Sequence, residues 1–210
     1  MKAVTAHSLF AEKGTAMKKQ RTLKEYRLID LTIFAFILVL CEFLAVRAAD
    51  SWFPDQPYTV SVAAAVTSIV YMRWGWWGCF HAFFAGTVFC ASHGATLFSY
   101  FIYCFGNLFS ALAVPVLLRV GKEKTRTGMF GMIFPLLVLL LMQGGRAAVA
   151  MILGASLASV TGFFTTDSIS MLFTFVVIWI ARRLDGIYED QKHYLLRLSA
   201  LEKAEKGGFL

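Results

Sequence analysis

Long apolar runs constrain the fold of this chain more than any other feature. They cover Leu28 to Val46, Tyr58 to Met72, Trp76 to Ala91, Thr96 to Leu118, Met129 to Gln143, Ala147 to Phe164 and Ser168 to Ala181. About 20 helical residues cross a hydrocarbon core of ~30 Å. Only 16% of the residues are charged and 58% are hydrophobic, whereas a soluble domain is about a quarter charged. The chain therefore reads as an integral membrane protein. Its runs lack the alternation of lipid-facing and lumen-facing residues that barrel strands need. The expected fold is all-α.

Charge placement sets the expected topology. Basic residues gather in the N-terminal stretch (Lys13, Lys18, Lys19, Arg21, Lys24, Arg27), at Arg73, in the linker "RVGKEKTRTG", and at Arg182 and Arg183. The opposite side of the alternating runs holds only Arg47 and Arg146. Lys and Arg in short loops stay cytoplasmic. Both termini are thus expected inside, in the cell membrane, with an even number of crossings. The expectation is a six-transmembrane-helix bundle with an additional outer or re-entrant segment at Ala147 to Phe164, or a bent fifth helix there. That segment, "LGASLASVTG" at its centre, is rich in the small residues that suit close helix packing. The domain reading is a basic tail over 1–26, expected to be disordered and cytoplasmic, a transmembrane substrate-binding unit over 27–184, and an amphipathic cytoplasmic helix over 185–210.

The stretch "YMRWGWWGCFHAFFAG" falls between the second and third runs. It reads as a cytoplasmic turn, with Trp at the headgroup level and Gly for tightness. Two readings stand for Trp74 to Trp77, an interfacial belt or a docking surface for a partner. The basic stretch before Leu28 and the spanning length of the first run suit an uncleaved anchor rather than a signal peptide. The net charge of +7 follows from the cytoplasmic bias of Lys and Arg, so no nucleic-acid partner is inferred. Cys41, Cys79, Cys90 and Cys104 lie in apolar runs at no paired spacing. They read as free thiols without a zinc motif.

Ionisable groups inside a bilayer cost at least ~2.5 kcal/mol at the helix centre, so each is a site candidate. Glu42 is the clearest, in "LCEFLAVRAADSW" with Arg47 and Trp52. Glu42 and Arg47 either neutralise each other or contact a ligand. His93 lies in the loop "CASHGATLFSY". Tyr100, Tyr103 and Asn107 follow at steps of three and four, on one helix face. Gln143 and Arg146 end the fifth run. Asp167, in "TTDSIS", is placed to cap the last helix, and His81 reads as a hydrogen-bonded core residue. The candidate substrate site is therefore an outer pocket with aromatic walls and a few polar groups.

The sequence holds no P-loop and no H-E-x-x-H motif. "GASLA" at Gly154 to Ala158 fails the G-x-S-x-G pattern. No nucleophile and base pair by spacing, so no enzyme, cofactor or metal is expected. No internal repeat of the secondary-transporter kind is visible.

With these residues in view, the chain resembles the substrate-binding S component of energy-coupling factor (ECF) vitamin transporters, in an uncharacterised branch. The likeness covers about Arg27 to Leu198. It is carried by six helices in that span, the "MRWGWWG" turn, "YCFGNLFSALAVPVLL" and "TTDSIS…WIARRLDGIYEDQKHYLLRL". The resemblance implies a subunit that binds a vitamin or related micronutrient from outside. It would deliver the ligand inward by toppling, together with a membrane coupling subunit and two cytoplasmic ATPases. The family's coupling surface uses an alanine pair four apart on helix one. Here Ala35 meets Val39, Ala45/Ala49 lies at the outer end, and Ala63 to Ala65 are possible substitutes. The start Met1-Lys2-Ala3 departs from the metal-transporting members. Two other readings stand beside this one: a self-sufficient secondary transporter with Glu42 as its ion site, and a membrane sensor or structural subunit signalling through the C-terminal helix. In that helix Ile187, Gln191, Tyr194, Leu198 and Leu201 recur at helical steps.

Overall fold

A computed structural model describes residues 22–54, 59–121, 124–125, 128–184, 186–189, 193–197 and 200–201. The described residues are helical, without strands. The tail before Thr22 and the positions Gln191 and Leu198 lie outside the described residues.

Helix α1, Leu23–Trp52, starts four residues inside the expected tail because "TLKE" forms a capping box. The Thr22 hydroxyl accepts from the Glu25 amide, and the Glu25 carboxylate accepts from the Thr22 amide, which satisfies two orphan donors. At 1.5 Å per residue its 30 residues reach about 45 Å, longer than a hydrocarbon core. Its buried stripe is Asp30, Phe34, Leu38, Glu42, Val46 and Ala49. The remaining faces expose Phe36, Leu40, Phe43 and Leu44, as a helix against lipid does.

Helix α2, Ala63–Trp74, is buried from Ala63 to Arg73. The three alanines at its start let neighbours close around it, so they are not available as a docking face. A tight 3-10 turn, Gly75–Trp77, leads into α3, Gly78–Ser92. Helix α4, Leu97–Leu108, continues through a 3-10 turn, Phe109–Leu112, into α5, Ala113–Val120. Pro115 accounts for that tightening, since it has no N–H for the carbonyl four residues back. Helix α6, Phe130–Ile152, is followed by α7, Leu157–Thr166, and α8, Ser168–Ala181.

Four stretches are long and apolar enough to cross a membrane: Leu23–Trp52, Leu97–Val120, Phe130–Ile152 and Leu157–Ala181. Helices α2 and α3, with 12 and 15 residues, fall short of the usual spanning length. The extra outer or re-entrant element expected at Ala147 to Phe164 does not form as one unit. Its first residues finish α6, and Gly154 turns the chain with a φ of +88°. Ser156 then caps α7 by accepting from the Ser159 amide. Helix α7 leads into α8 with a break only at Asp167.

Register is fixed by polar ties. Asp30 meets Arg73, and Glu42 meets Ser61 and Val62, so α1 and α2 run antiparallel. Asn107 bonds the Ala82 carbonyl and Arg146, which sets α4 against both α3 and α6. Here glycine is required. A Cβ on Gly106 would lie 2.6 Å from the Arg146 backbone, and one on Gly145 2.6 Å from Phe109 Cβ. The main core packs Leu38, Tyr71, Met72, Leu117, Phe134 and Ile178, with the Tyr71 hydroxyl 2.9 Å from Ser110 Oγ.

The start of α1 with Arg27, the end of α2 with Arg73, and the segment that follows Arg182 and Arg183 at the end of α8 lie together and form the basic end. Arg73 is not a surface turn residue, as its position in "MRWGWWG" suggests. It is buried against Asp30, and its Nη1 donates to the Gly186 and Ile187 carbonyls at 3.0 and 2.7 Å. Tyr188 is buried and donates to the Ile178 carbonyl at 3.2 Å. The segment after α8 is thereby fastened to the bundle. The apolar residues there raise the Tyr188 phenol to about 12, since burial disfavours its charged form. Gly186, at φ +73°, packs under the Tyr194 ring.

Candidate functional site

Polar side chains from α1, α4, α6 and the α7–α8 break converge away from the basic end. Arg146 stands six residues before the end of α6, about 9 Å in from it. Its side chain is 4% exposed. Nε donates to Asn107 Oδ1 at 2.8 Å, and Nη1 donates to Asp167 Oδ2 at 2.9 Å and to Gln143 Oε1 at 3.3 Å. The guanidinium lies over the Tyr103 ring, 4.5 Å from its centroid. Gln143 Nε2 and the Thr59 hydroxyl both donate to Asp167. Buried charges need such pairing, because an isolated ion in a low dielectric is very costly.

Asp167 was expected to cap α8, and it does not. Its side chain makes no capping bond and turns to Arg146, Gln143 and Thr59 instead. Two helix ends meet at this residue, and the cation across the bundle outcompetes a local amide for the carboxylate. Sequence reasoning left Asp167 out of the site. Its only signal was an acidic residue at the end of a long apolar stretch, which capping explained equally well.

Glu42 is fully buried and belongs to the same region through the non-helical stretch 59–62. Its carboxylate accepts from Ser61 Oγ at 2.7 Å and from the Val62 amide at 2.8 Å. Ser61 Oγ in turn accepts from the Ala63 amide. Glu42 thus caps α2 from another helix and satisfies donors that every helix start leaves open. Ser170 clamps the same stretch from α8, accepting from the Ser61 amide and donating to the Thr59 carbonyl, both at 3.0 Å.

The proposed neutralisation of Glu42 by Arg47 does not occur. Five residues along a helix turn the two side chains well apart, and Arg47 is exposed, stacked over Phe43 at 5.3 Å. Trp52 is also outside the cluster, 71% exposed at the end of α1. His93 is joined to the site indirectly. Its ring lies 4.3 Å from Phe89, and Phe89 stacks 4.6 Å from Tyr103. Tyr100 packs beside Tyr103 against Val46, Phe89 and Cys90. His81 bonds the Leu31 carbonyl through Nε2 at 3.0 Å, a core role.

Tyr103, Asn107, Gln143 and Arg146 are thus brought together, with Glu42 nearby and with Thr59, Ser61 and Asp167 added. The arrangement fixes a guanidinium by hydrogen bonds from Nε and Nη1 and a ring against its face. Nη2 makes no hydrogen bond among the described residues. Its two N–H groups are the donors that Arg146 has left to offer to an anionic or carbonyl oxygen of a ligand. Among the described residues no three His, Cys, Asp or Glu side chains gather to hold a metal ion. A groove of about 570 Å³ lies elsewhere, between α1, α2 and α8, and its wall is apolar, including Val62, Phe173 and Trp52.

No protein-family model, curated protein or solved structure matches this chain.

Proposed function

We propose that the chain is the substrate-capture S component of an ECF-type importer. It binds a vitamin or related micronutrient from outside and delivers it inward with a membrane coupling subunit and two cytoplasmic ATPases. In this reading α2, with its non-helical lead at 59–62, and α3 are short crossings that complete six. Both termini then lie in the cytoplasm, where the basic end belongs by the positive-inside rule. The chain performs no chemistry of its own.

The observation that carries the reading is the fixed Arg146 guanidinium, with Nη2 uncommitted, at the end away from the basic residues. Intramembrane charges mark substrate paths by default. The sequence likeness in "MRWGWWG" and "YCFGNLFSALAVPVLL" supports the class. Trp76, 53% exposed at the turn, is the surface offered to a partner.

A sensor or structural subunit is the second reading. The same cluster favours it, since Asp167 is fully engaged by Arg146, Gln143 and Thr59 and Glu42 caps a helix. Native mass spectrometry of the gently purified chain separates the two. A bound vitamin or precursor supports capture, and co-purifying ATPases support the importer. An empty protein, still empty after a vitamin panel and without ATPases, favours the second. Uptake by the single chain alone would instead indicate a secondary transporter.

A further inference from the structure

We propose that the groove between α1 and α3 at the basic end binds one anionic phospholipid, its phosphate on Arg27 and an acyl chain along Phe80, Phe83 and Phe84. The inference is independent of the importer reading and rests on two observations joined by the contact of Trp77 with Phe80.

The first is a cation without an anion among the described residues. The Arg27 guanidinium carbon lies 5.3 Å from the Trp74 ring centroid and 5.1 Å from that of Trp77. Arg27 Nε is buried and has no hydrogen-bond partner among the described residues. The buried arginines elsewhere are paired, Arg73 with Asp30 and Arg146 with Asp167. Asp30, three residues along α1, is committed to Arg73 and to Trp74 Nε1 at 2.6 Å. Two indole rings therefore hold a guanidinium whose fork matches phosphate oxygens. Charge-assisted bonds of that kind are about twice as strong as neutral ones.

The second is an apolar groove further along the same face of α1, toward the middle of the bundle. A cavity of about 350 Å³ is lined by Ala35, Phe80, His81, Phe83 and Phe84. Arg27, Leu31 and Ala35 follow at steps of four on one face of α1, and Ala35 leaves room where a larger residue would fill the groove. On α3, Trp77 stacks on Phe80 at 5.7 Å, which joins the cation's platform to the groove wall. From Arg27 to Ala35 the helix rises about 12 Å. Exposed Trp76 and Trp77 place Arg27 at the headgroup level, where Trp concentrates. A free phosphate would use Arg27 alone, while a lipid uses both halves, so the lipid is the occupant assigned.

The test uses the full chain, stripped of lipid in neutral detergent and given equal phosphatidylglycerol and phosphatidylcholine of the same chains. Native mass spectrometry reads what is retained, and thermal unfolding is followed in parallel. The expected result is preferential retention of phosphatidylglycerol, lowered about tenfold by Arg27→Gln, as the loss of a charged hydrogen bond implies. Ala35→Phe keeps the cation but fills the groove, and it should lower retention as well; it also serves if Arg27→Gln fails to fold. Inorganic phosphate should not raise the unfolding temperature. Equal retention of the two lipids, retention unchanged in both variants, or stabilisation by inorganic phosphate alone would each overturn the proposal.

Discussion

Arg73 and Asp30 form a two-bonded ion pair inside the basic end, with Nε 2.7 Å from Oδ2 and Nη2 2.8 Å from Oδ1. The two residues come from different helices and are both buried. Trp74 adds a third donor to the same carboxylate, and the Arg73 fork reaches on to Gly186 and Ile187. One pair thus ties α1, the end of α2 and the segment after α8. Asp30→Ala should cost roughly 3–5 kcal/mol, because it leaves a buried guanidinium uncompensated. Thermal unfolding in detergent measures this, and an unchanged midpoint would mean that water reaches the pair.

The Arg146–Asp167 pair allows folding and binding to be separated. Arg146→Met alone strands the Asp167 carboxylate and should destabilise strongly. Arg146→Met combined with Asp167→Leu should recover much of that loss, since apolar replacement of a whole buried pair is often neutral. Ligand binding should be lost in both variants if the guanidinium holds the ligand. Calorimetric titration of the double variant decides this, and retained binding would move the site elsewhere.

Glu42→Ala removes the acceptor for the Val62 amide and Ser61 hydroxyl. A buried donor left unsatisfied costs about 1–3 kcal/mol. The loss should be local, with faster hydrogen exchange at the amides of Val62 and Ala63. Glu42→Gln keeps one acceptor oxygen and should show a smaller change. Exchange unaltered in both would remove Glu42 as the cap of α2.

Gly145→Ala should destabilise by about 1–3 kcal/mol through overpacking, since its Cβ would enter the space of Phe109. Gly144→Ala is the internal control. Nothing lies within 4 Å of that added carbon, and alanine favours a helix over glycine by about 1 kcal/mol. The two unfolding midpoints should move in opposite directions. Movement together would mean that α4 and α6 do not approach at Gly106.

The sequence by itself determined that the chain is helical and membrane-embedded, because a run such as Leu28 to Val46 has spanning length and, apart from Asp30 and Glu42, no charge before it ends. It also placed Tyr103 and Asn107 on one face, since four residues along a helix return to the same side, but it ended the fifth helix at Gln143 and Arg146, whereas α6 runs on to Ile152 and holds both inside it. Local periodicity carries that much. Only the tertiary structure decided which charge meets which. Asp30 and Arg73 are 43 residues apart, Arg146 and Asp167 are 21 apart, and nothing in either neighbourhood encodes the partner. A buried carboxylate takes the strongest donor within reach, and reach is set by packing between helices. For the same reason Asp167 left its local cap, Glu42 capped another helix instead of meeting Arg47, and residues 147–152 joined α6.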